Sequence, residues 1–257
     1  MEQLRLDFTD QVVLVTGASS GIGAAVARGF AGLGARTVLH YHRNAEGVKA
    51  VQAGIEEAGG SASVLAADLT DSDAAGGLVD RVVESEGRVD VLVNNAGDLI
   101  RRAPVPEVTD EDYRRIMDLN ITSVFSACRR AVPVMRAQGG GSIVNLTSVA
   151  ARTGGGGHSV IYATSKGAVS TFTRGLAKEV ARDGIRVNAV APGIITTPFH
   201  DRHTEESQMA TWMSGIPMGR AGTPEECVGT VLFLASPVMS GYVTGQVIEV
   251  NGGQLTP

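Results

Sequence analysis

Tyr162 and Lys166 stand four positions apart, with Ser148 fourteen positions upstream. Residues i and i+4 of a helix share a face, so the phenol and the ammonium point the same way. A free tyrosine titrates at a pKa of about 10 and is a poor base at neutral pH. Lowering that value by roughly three units takes about 4 kcal/mol of preferential stabilisation of the anion. A nearby ammonium contributes to this by Coulomb attraction. A tyrosine placed in this way can pass a proton to or from a reacting oxygen. A Y-x-x-x-K pair taken alone is also what an ordinary exposed helix face looks like, so its meaning depends on what stands around it.

The surrounding chain has the pattern of a parallel α/β fold. Val12–Val15, Thr37–Tyr41, Val64–Ala67, Val89–Val93, Ile143–Leu146, Ile185–Val190 and Val247–Val250 read as buried strands. The intervening stretches Gly21–Leu33, Asp73–Gly87, Asp110–Gln138 and Val160–Asp183 have helical length and apolar recurrence. Thr109-Asp110-Glu111-Asp112 and Thr223-Pro224-Glu225-Glu226 look like helix starts. Seven strands alternating with helices predict a Rossmann-type doubly wound parallel sheet, one domain over residues 1–257. Between the first strand and the first helix runs Thr16-Gly17-Ala18-Ser19-Ser20-Gly21-Ile22-Gly23. A glycine turn in that position brings backbone N–H groups and the positive end of a helix dipole against a pyrophosphate. Asn94-Asn95-Ala96-Gly97 forms a second small-residue turn after the fourth strand, at the sheet edge where such folds bind ligands.

Composition narrows the class further. Hydrophobic residues make up 43% of the 257, enough for a sizeable core. A net charge of −5 argues against nucleic acid, which calls for a basic footprint. The two cysteines, Cys128 and Cys227, form neither a disulfide framework nor a metal-ligand spacing, and no metal site is expected. Met1 to Asp10 shows no signal-like apolar stretch, and no apolar run is long enough to cross a bilayer. The expectation is a soluble, cytoplasmic protein acting on a small molecule.

On Thr16–Gly23, Asn94–Gly97, Asn120, Ser148, Tyr162, Lys166 and Pro192-Gly193, in this order, the chain resembles the short-chain dehydrogenase/reductase family over essentially its whole length. The resemblance implies a nicotinamide-dependent oxidoreductase interconverting a carbonyl and a secondary alcohol. It implies a dinucleotide held by Gly17, Ser19, Ser20, Gly21, Ile22 and Gly23 along the pyrophosphate, and by Asp68 and Leu69 near the adenine. It places Asn94 near the adenosine ribose, followed by Ala96 and Gly97, with Pro192, Gly193, Ile195 and Thr197 toward the carboxamide. Tyr162 and Lys166 face both cofactor and substrate; Ser148 hydrogen-bonds the substrate oxygen, and Asn120 holds a water that links Lys166 to solvent. The positive charge of an oxidised nicotinamide would add to Lys166 in stabilising the phenolate. The stretch from Ser148 to Tyr162 is one residue longer than in many members, and the extra residue falls in the Gly154–His158 loop, a candidate for mobility. Members commonly form homotetramers through two long helices and the C-terminal strand, and Tyr242 to Val247 reads like that ending.

Cofactor preference rests on the end of the second strand. NAD-preferring folds end it in a carboxylate that grips the ribose 2′-hydroxyl. Here Tyr41, His42 and Arg43 occupy that place, with no carboxylate and with cations that suit a 2′-phosphate. NADP(H) is therefore expected, with NAD(H) possible. Three loops at the same edge carry Arg101, Arg102, Arg152, His158, His200, Arg202 and His203 against Asp98 and Asp201, a cationic rim suited to an anionic substrate such as a keto-sugar acid. The Thr153–Gly156 loop, Thr197–His200 and the ending Val250–Gln254 resemble sugar-type and uronate-derived keto-acid reductases of the family. The general pattern equally fits a 3-oxoacyl-carrier-protein reductase, although Gln138–Gly140 and Arg182–Gly184 offer a weakly basic docking face. A dinucleotide-binding sensor without catalysis is a third reading; loss of the tyrosine or lysine would mark it, and both are present.

Overall fold

Seven parallel strands, in the order β3-β2-β1-β4-β5-β6-β7, form one sheet. The computed structural model describes residues 5–203 and 206–256; the reading of the N-terminal ten residues falls partly outside them. In chain order the elements are β1 (Val12–Val15), α1 (Gly21–Ala31), β2 (Arg36–Tyr41), α2 (Ala45–Glu57), β3 (Ser61–Ala66), α3 (Ser72–Glu86) and β4 (Val91–Asn94). The second half contains α4 (Asp110–Met117), α5 (Ser123–Ala137), β5 (Gly141–Leu146), α6 (Ala150–Thr153), α7 (Val160–Val180) and β6 (Ile185–Pro192). It closes with α8 (Pro198–His203), α9 (Glu206–Ser214), α10 (Pro224–Ala235), α11 (Pro237–Ser240) and β7 (Val247–Val250). Side chains alternate across a strand, so Val13 and Val15 enter one buried layer with α1 and α10, while Val12 and Leu14 enter the other with α3, α5 and α7. All four β1 residues are wholly buried, which is why the strand reads as a continuous apolar run. Among the described residues, no helix is long and apolar enough to cross a membrane.

The helix expected over Asp110–Gln138 is interrupted. Residues Asp118–Thr122 form a π turn between α4 and α5, with the fully buried Asn120 at its centre. Asn120 Nδ2 donates to the Ile116 carbonyl at 2.8 Å and to the Asp98 carbonyl at 2.7 Å. The segment after Pro192-Gly193 also holds more helix than its loop-like composition suggests, namely α8 and α9. Both expected helix starts are present: Thr109 accepts the Asp112 N–H, and Thr223 and Glu226 form a reciprocal capping box.

The sheet reverses its winding between β1 and β4, whose carboxyl ends lie side by side with Val15 opposite Val93. The two turns that leave these ends are stitched together. Thr16 Oγ1 accepts the N–H groups of Asn95 and Ala96 at 2.9 and 3.0 Å, and Asn95 Nδ2 donates to the carbonyls of Thr16 and Gly17. Deeper in the core, Asn94 Nδ2 donates to Asn145 Oδ1, Asn145 Nδ2 to Thr173 Oγ1, and Thr173 Oγ1 to the Val169 carbonyl. This chain of bonds ties β4, β5 and α7 into one register.

Asn145→Ala would remove the acceptor of the Asn94 amide and the donor to the Thr173 hydroxyl inside the core. A loss of about 2–5 kcal/mol is expected from unsatisfied groups plus the cavity. Urea unfolding measures it, and a loss below about 1 kcal/mol would show that the bonded chain is not structural.

Candidate active site

A cleft of about 1330 Å³ opens at the carboxyl edge of the sheet and is lined from both stitched turns. Gly17, Ser19, Ser20, Gly21 and Ile22 form one wall, with Asp68, Leu69, Ala96 and Gly97 beside them. Gly17 and Gly21 both have positive φ, at 66° and 55°, which glycine adopts without strain. Gly23 lies behind the wall: a Cβ there would meet the Gly17 carbonyl oxygen and Asn95 Nδ2 at 2.4 Å, so only glycine lets helix and turn pack this closely. Ser20, the residue before α1, makes no side-chain cap, and the first turn of α1 carries no acidic residue. The first N–H groups of α1 therefore face the cleft with neither a cap nor a negative charge against them, as an anionic pyrophosphate requires. The residues present fit a dinucleotide.

His40 extends this cradle, and nothing in its neighbours' pattern points to it. Wholly enclosed at the end of β2, it accepts the Gly17 N–H on Nδ1 at 3.1 Å, while Nε2 lies 3.1 Å from the Ala67 carbonyl and donates to it. Burial pushes its pKa down to about 4, so the ring is neutral and its tautomer is set by these two partners. At the same strand end His42 pairs with Asp68 at 3.4 Å, and Arg43 lines the cleft without an ion pair among the described residues. Tyr41 does not reach the cleft; its side chain packs on the core layer of α1 and α10. Asn94 is likewise absent from the cleft, because it is spent on Asn145 beneath it, and Asn95 is the asparagine that lines the opening. The strand alternation explains the exchange: Asn94 still belongs to β4, and Asn95 is the first residue of the turn.

At the inner end of the cleft Ser148, Tyr162 and Lys166 converge. Thr147 Oγ1 donates to the Lys166 carbonyl at 2.8 Å, and Lys166 Nζ donates to the Leu146 carbonyl at 2.8 Å, which clamps α7 onto the end of β5. Lys166 Nζ lies 5.8 Å from the centre of the Tyr162 ring. Burial pushes the phenol up to about 12, opposed by a hydrogen bond with Ser148; burial pushes Lys166 down to about 8. The lowered phenol expected from the Tyr–Lys spacing is thus not what the protein alone produces: desolvation outweighs the Ser148 hydrogen bond and the Arg102 charge, and the phenol keeps its proton. Asn120 Oδ1 is buried without a hydrogen-bond partner. It and Lys166 Nζ converge on Gly97, where a Cβ would lie 2.6 and 3.0 Å from them.

The expected cationic rim is only partly assembled. Arg101 pairs with Asp112 at 3.2 Å and Arg152 faces Glu249 at 3.9 Å, and neither lines the cleft. His158 borders a separate small void with Arg101. Arg102 does line the cleft, but its guanidinium donates to the carbonyls of Gly156, Gly157 and His203 and stacks 5.2 Å from the Trp212 ring. Those bonds tether the glycine loop that its composition marks as mobile. Among the described residues Arg102 makes no ion pair. Arg202 and His203 both reach Asp98, at 3.4 and 2.5 Å. His200 lines the cleft with its pKa pushed down to about 4 by burial, then by Arg102. Arg115 on α4 is a cation of the cleft that sequence reading misses. Phe199 of α8 packs 5.7 Å from the Tyr162 ring, bringing the segment after Pro192-Gly193, Ile195 and Thr197 over the phenol.

A family model described as enoyl-(acyl carrier protein) reductase matches residues 17–254. The 3-oxoacyl-[acyl-carrier-protein] reductase FabG of Thermotoga maritima is 42% identical over 243 residues, covering 95% of this chain and 97% of its own. Gluconate 5-dehydrogenase of Gluconobacter oxydans is 39% identical over 241 residues, covering 93% of each. A crystal structure from Beutenbergia cavernae, provisionally named an NAD(P) dependent gluconate 5-dehydrogenase and holding NADP at low occupancy, superposes with a TM-score of 0.90 at 39% identity. That match covers 97% of this chain and 98% of the other.

The neutral His40 makes stability depend on pH. The unfolded imidazole takes a proton below about 6.5, whereas the folded one resists until about 4. Its contribution is therefore complete above pH 6.5 and lost as pH falls toward 4, by about 2 kcal/mol at pH 5. His40→Asn keeps an acceptor for Gly17 without a titrating group. Urea midpoints from pH 7.5 to 5 should fall less steeply in that variant, and parallel curves would contradict the assignment.

Proposed function

The chain belongs to the short-chain dehydrogenase/reductase family, and on that footing we propose that it reduces a small polar, anionic carbonyl compound of the keto-sugar-acid type with NADPH. The observation that carries this reading is Ser148, Tyr162 and Lys166 converging at the inner end of a cleft whose other wall suits a pyrophosphate. Gly17, Ser19, Ser20, Gly21 and Ile22 would hold the dinucleotide, with Asp68 and Leu69 at its adenine, Asn95, Ala96 and Gly97 along its middle, and Pro192, Gly193, Ile195 and Thr197 at its nicotinamide. A reduced nicotinamide bound there would supply a hydride for the carbonyl carbon. Ser148 offers its hydroxyl to the carbonyl oxygen and, through its bond with Tyr162, orients the phenol. Tyr162, which holds its proton in this environment, donates it to the same oxygen as the alcohol forms. Lys166 keeps positive charge beside the phenol and lowers the cost of that donation. Asn120 Oδ1, a buried acceptor beside Lys166, suits a water that returns the proton from solvent.

Arg43 supports the choice of NADPH: it lines the cleft just after β2 and makes no ion pair among the described residues. Arg102 and Arg115 in the substrate half, with Arg202 already shared with Asp98, leave a positive balance that favours an anion. The basic face a carrier protein would need is weakened by pairing, since Arg136 meets Asp183 at 2.7 Å and Arg130 meets Asp80 at 3.7 Å. The similarity to 3-oxoacyl reductases nevertheless makes the thioester the reading to test against.

Loss of reduced-nicotinamide absorbance with NADPH, on a panel of keto-sugar acids beside a 3-oxoacyl thioester, separates the two. Turnover of the acids is expected, and turnover of the thioester alone would overturn the substrate class. Tyr162→Phe should lower turnover by about 10²–10⁴-fold while NADPH still binds; retained activity would sink the proton-donor role. Arg43→Ala should weaken NADPH by about 10-fold and NADH by less than about twofold. Equal losses would refute the 2′-phosphate contact.

A further inference from the structure

Among the described residues three buried side-chain oxygens lack a hydrogen-bond partner: Asn120 Oδ1, Glu249 Oε1 and Gln254 Oε1. Buried polar groups are rarely left so, and each calls for a physical account. Asn120 Oδ1 faces Lys166, and Glu249 Oε1 lies 3.9 Å from an arginine nitrogen. Gln254 has no such neighbour, and it lines the cleft.

The chain places this amide with care. After β7, Gly252 and Gly253 take positive φ of 63° and 85° and turn the backbone back toward the sheet. Asn251 Oδ1 accepts the Gly253 N–H at 3.0 Å, Asn251 Nδ2 donates to the Leu255 carbonyl at 2.9 Å, and the Gln254 N–H donates to the Asn251 carbonyl at 3.1 Å. The Gly193 N–H donates to the Val250 carbonyl at 2.9 Å, which fastens the turn to the loop after β6. A Cβ on Gly193 would lie 3.0 Å from Gln254 Oε1 and closer still to Asn251. The glycine therefore lets the glutamine lie directly against the loop that follows β6, where the Pro192 carbonyl accepts the N–H of Val149, the neighbour of Ser148. A primary amide offers a donor and an acceptor whichever way it is turned, which matches a hydroxyl group. An acyl methylene in the same place would leave the amide unsatisfied.

We propose that Gln254 is a specificity-determining residue, hydrogen-bonding a hydroxyl group of a polyhydroxylated carbonyl substrate whose reacting oxygen sits at Ser148 and Tyr162. The proposal deepens the reduction assigned above and rests on it. Sites built to bond a substrate hydroxyl reject analogues that lack it far more strongly than apolar pockets reject a lost methylene.

The test uses NADPH with 5-ketogluconate and its monodeoxy analogues, comparing wild type, Gln254→Leu and the isosteric Gln254→Met. Wild type should prefer the parent over one analogue by about 10–100-fold in kcat/KM. The apolar variants should bring that ratio close to one, through a raised KM for the parent and a clearly smaller loss on the analogue. NADPH titration reports that each variant is folded. A ratio that persists in both variants overturns the role of Gln254, and so do parallel losses on parent and analogues, because a merely structural tail would act on all substrates alike. Wild type that reduces none of these acids, whether or not it reduces the thioester, fails the substrate reading itself and the proposal with it.

Discussion

The clamp between the end of β5 and α7 is the constraint on which the rest of the site depends. Lys166 is a buried ammonium whose Nζ is satisfied by the Leu146 carbonyl, and its own carbonyl is held by Thr147. Ser170 adds a hydroxyl to the same cluster at 2.8 Å from Thr147. An unpaired buried cation would be expelled or neutralised. Here the strand's last carbonyl holds it, so helix rotation and strand register are set together. Once they are set, the i+4 spacing puts Tyr162 beside Ser148 without further adjustment. The Asn94–Asn145–Thr173 chain beneath carries the same register to β4, where the second wall of the cleft begins.

The cofactor wall follows a different logic, that of removal. Positive φ at Gly17 and Gly21, close packing at Gly23 and an uncapped α1 all leave backbone donors bare at one place. His40 is the polar counterpart of this emptiness. A neutral ring that accepts from Gly17 and donates to Ala67 holds the turn and the β3 end at a fixed separation. The two halves of the cleft are thus built by opposite means, one by satisfying buried groups and the other by leaving groups open for an anion.

Charge at the substrate end shows how composition misleads when partners are unknown. Seven cations on three loops look like a recognition surface, yet Arg101 and Arg152 turn to acids outside the cleft, and His158 borders another void. Arg102 spends its donors on loop carbonyls and its face on Trp212, so it holds the loop while its charge persists. Asp98 gathers Arg202 and His203 and thereby joins the loop after β4 to α8. The positive balance that remains comes from fewer residues than the chain advertises, and from Arg115, which it does not.

Local pattern alone determined the fold class, the seven strands, the glycine turn and the Tyr–Lys face. Each of these depends on periodicity or on a conformation open to one residue type, and both are visible within a few positions. Tertiary structure decided whatever depends on a partner distant in the chain. It chose Asn95 over Asn94, because the last strand residue points into the core and the next one leaves it. It sent Tyr41 to the core and kept Arg43 in the cleft. It broke the long central helix with a π turn at Asn120, whose side chain bonds the Ile116 and Asp98 carbonyls. It kept the phenol protonated, since burial outweighs the Ser148 hydrogen bond by an amount that no spacing encodes. Hydrogen-bond satisfaction and desolvation are properties of the assembled neighbourhood, and for that reason His40 carries no signal until the chain is folded, and Gln254 none beyond its place in a familiar ending.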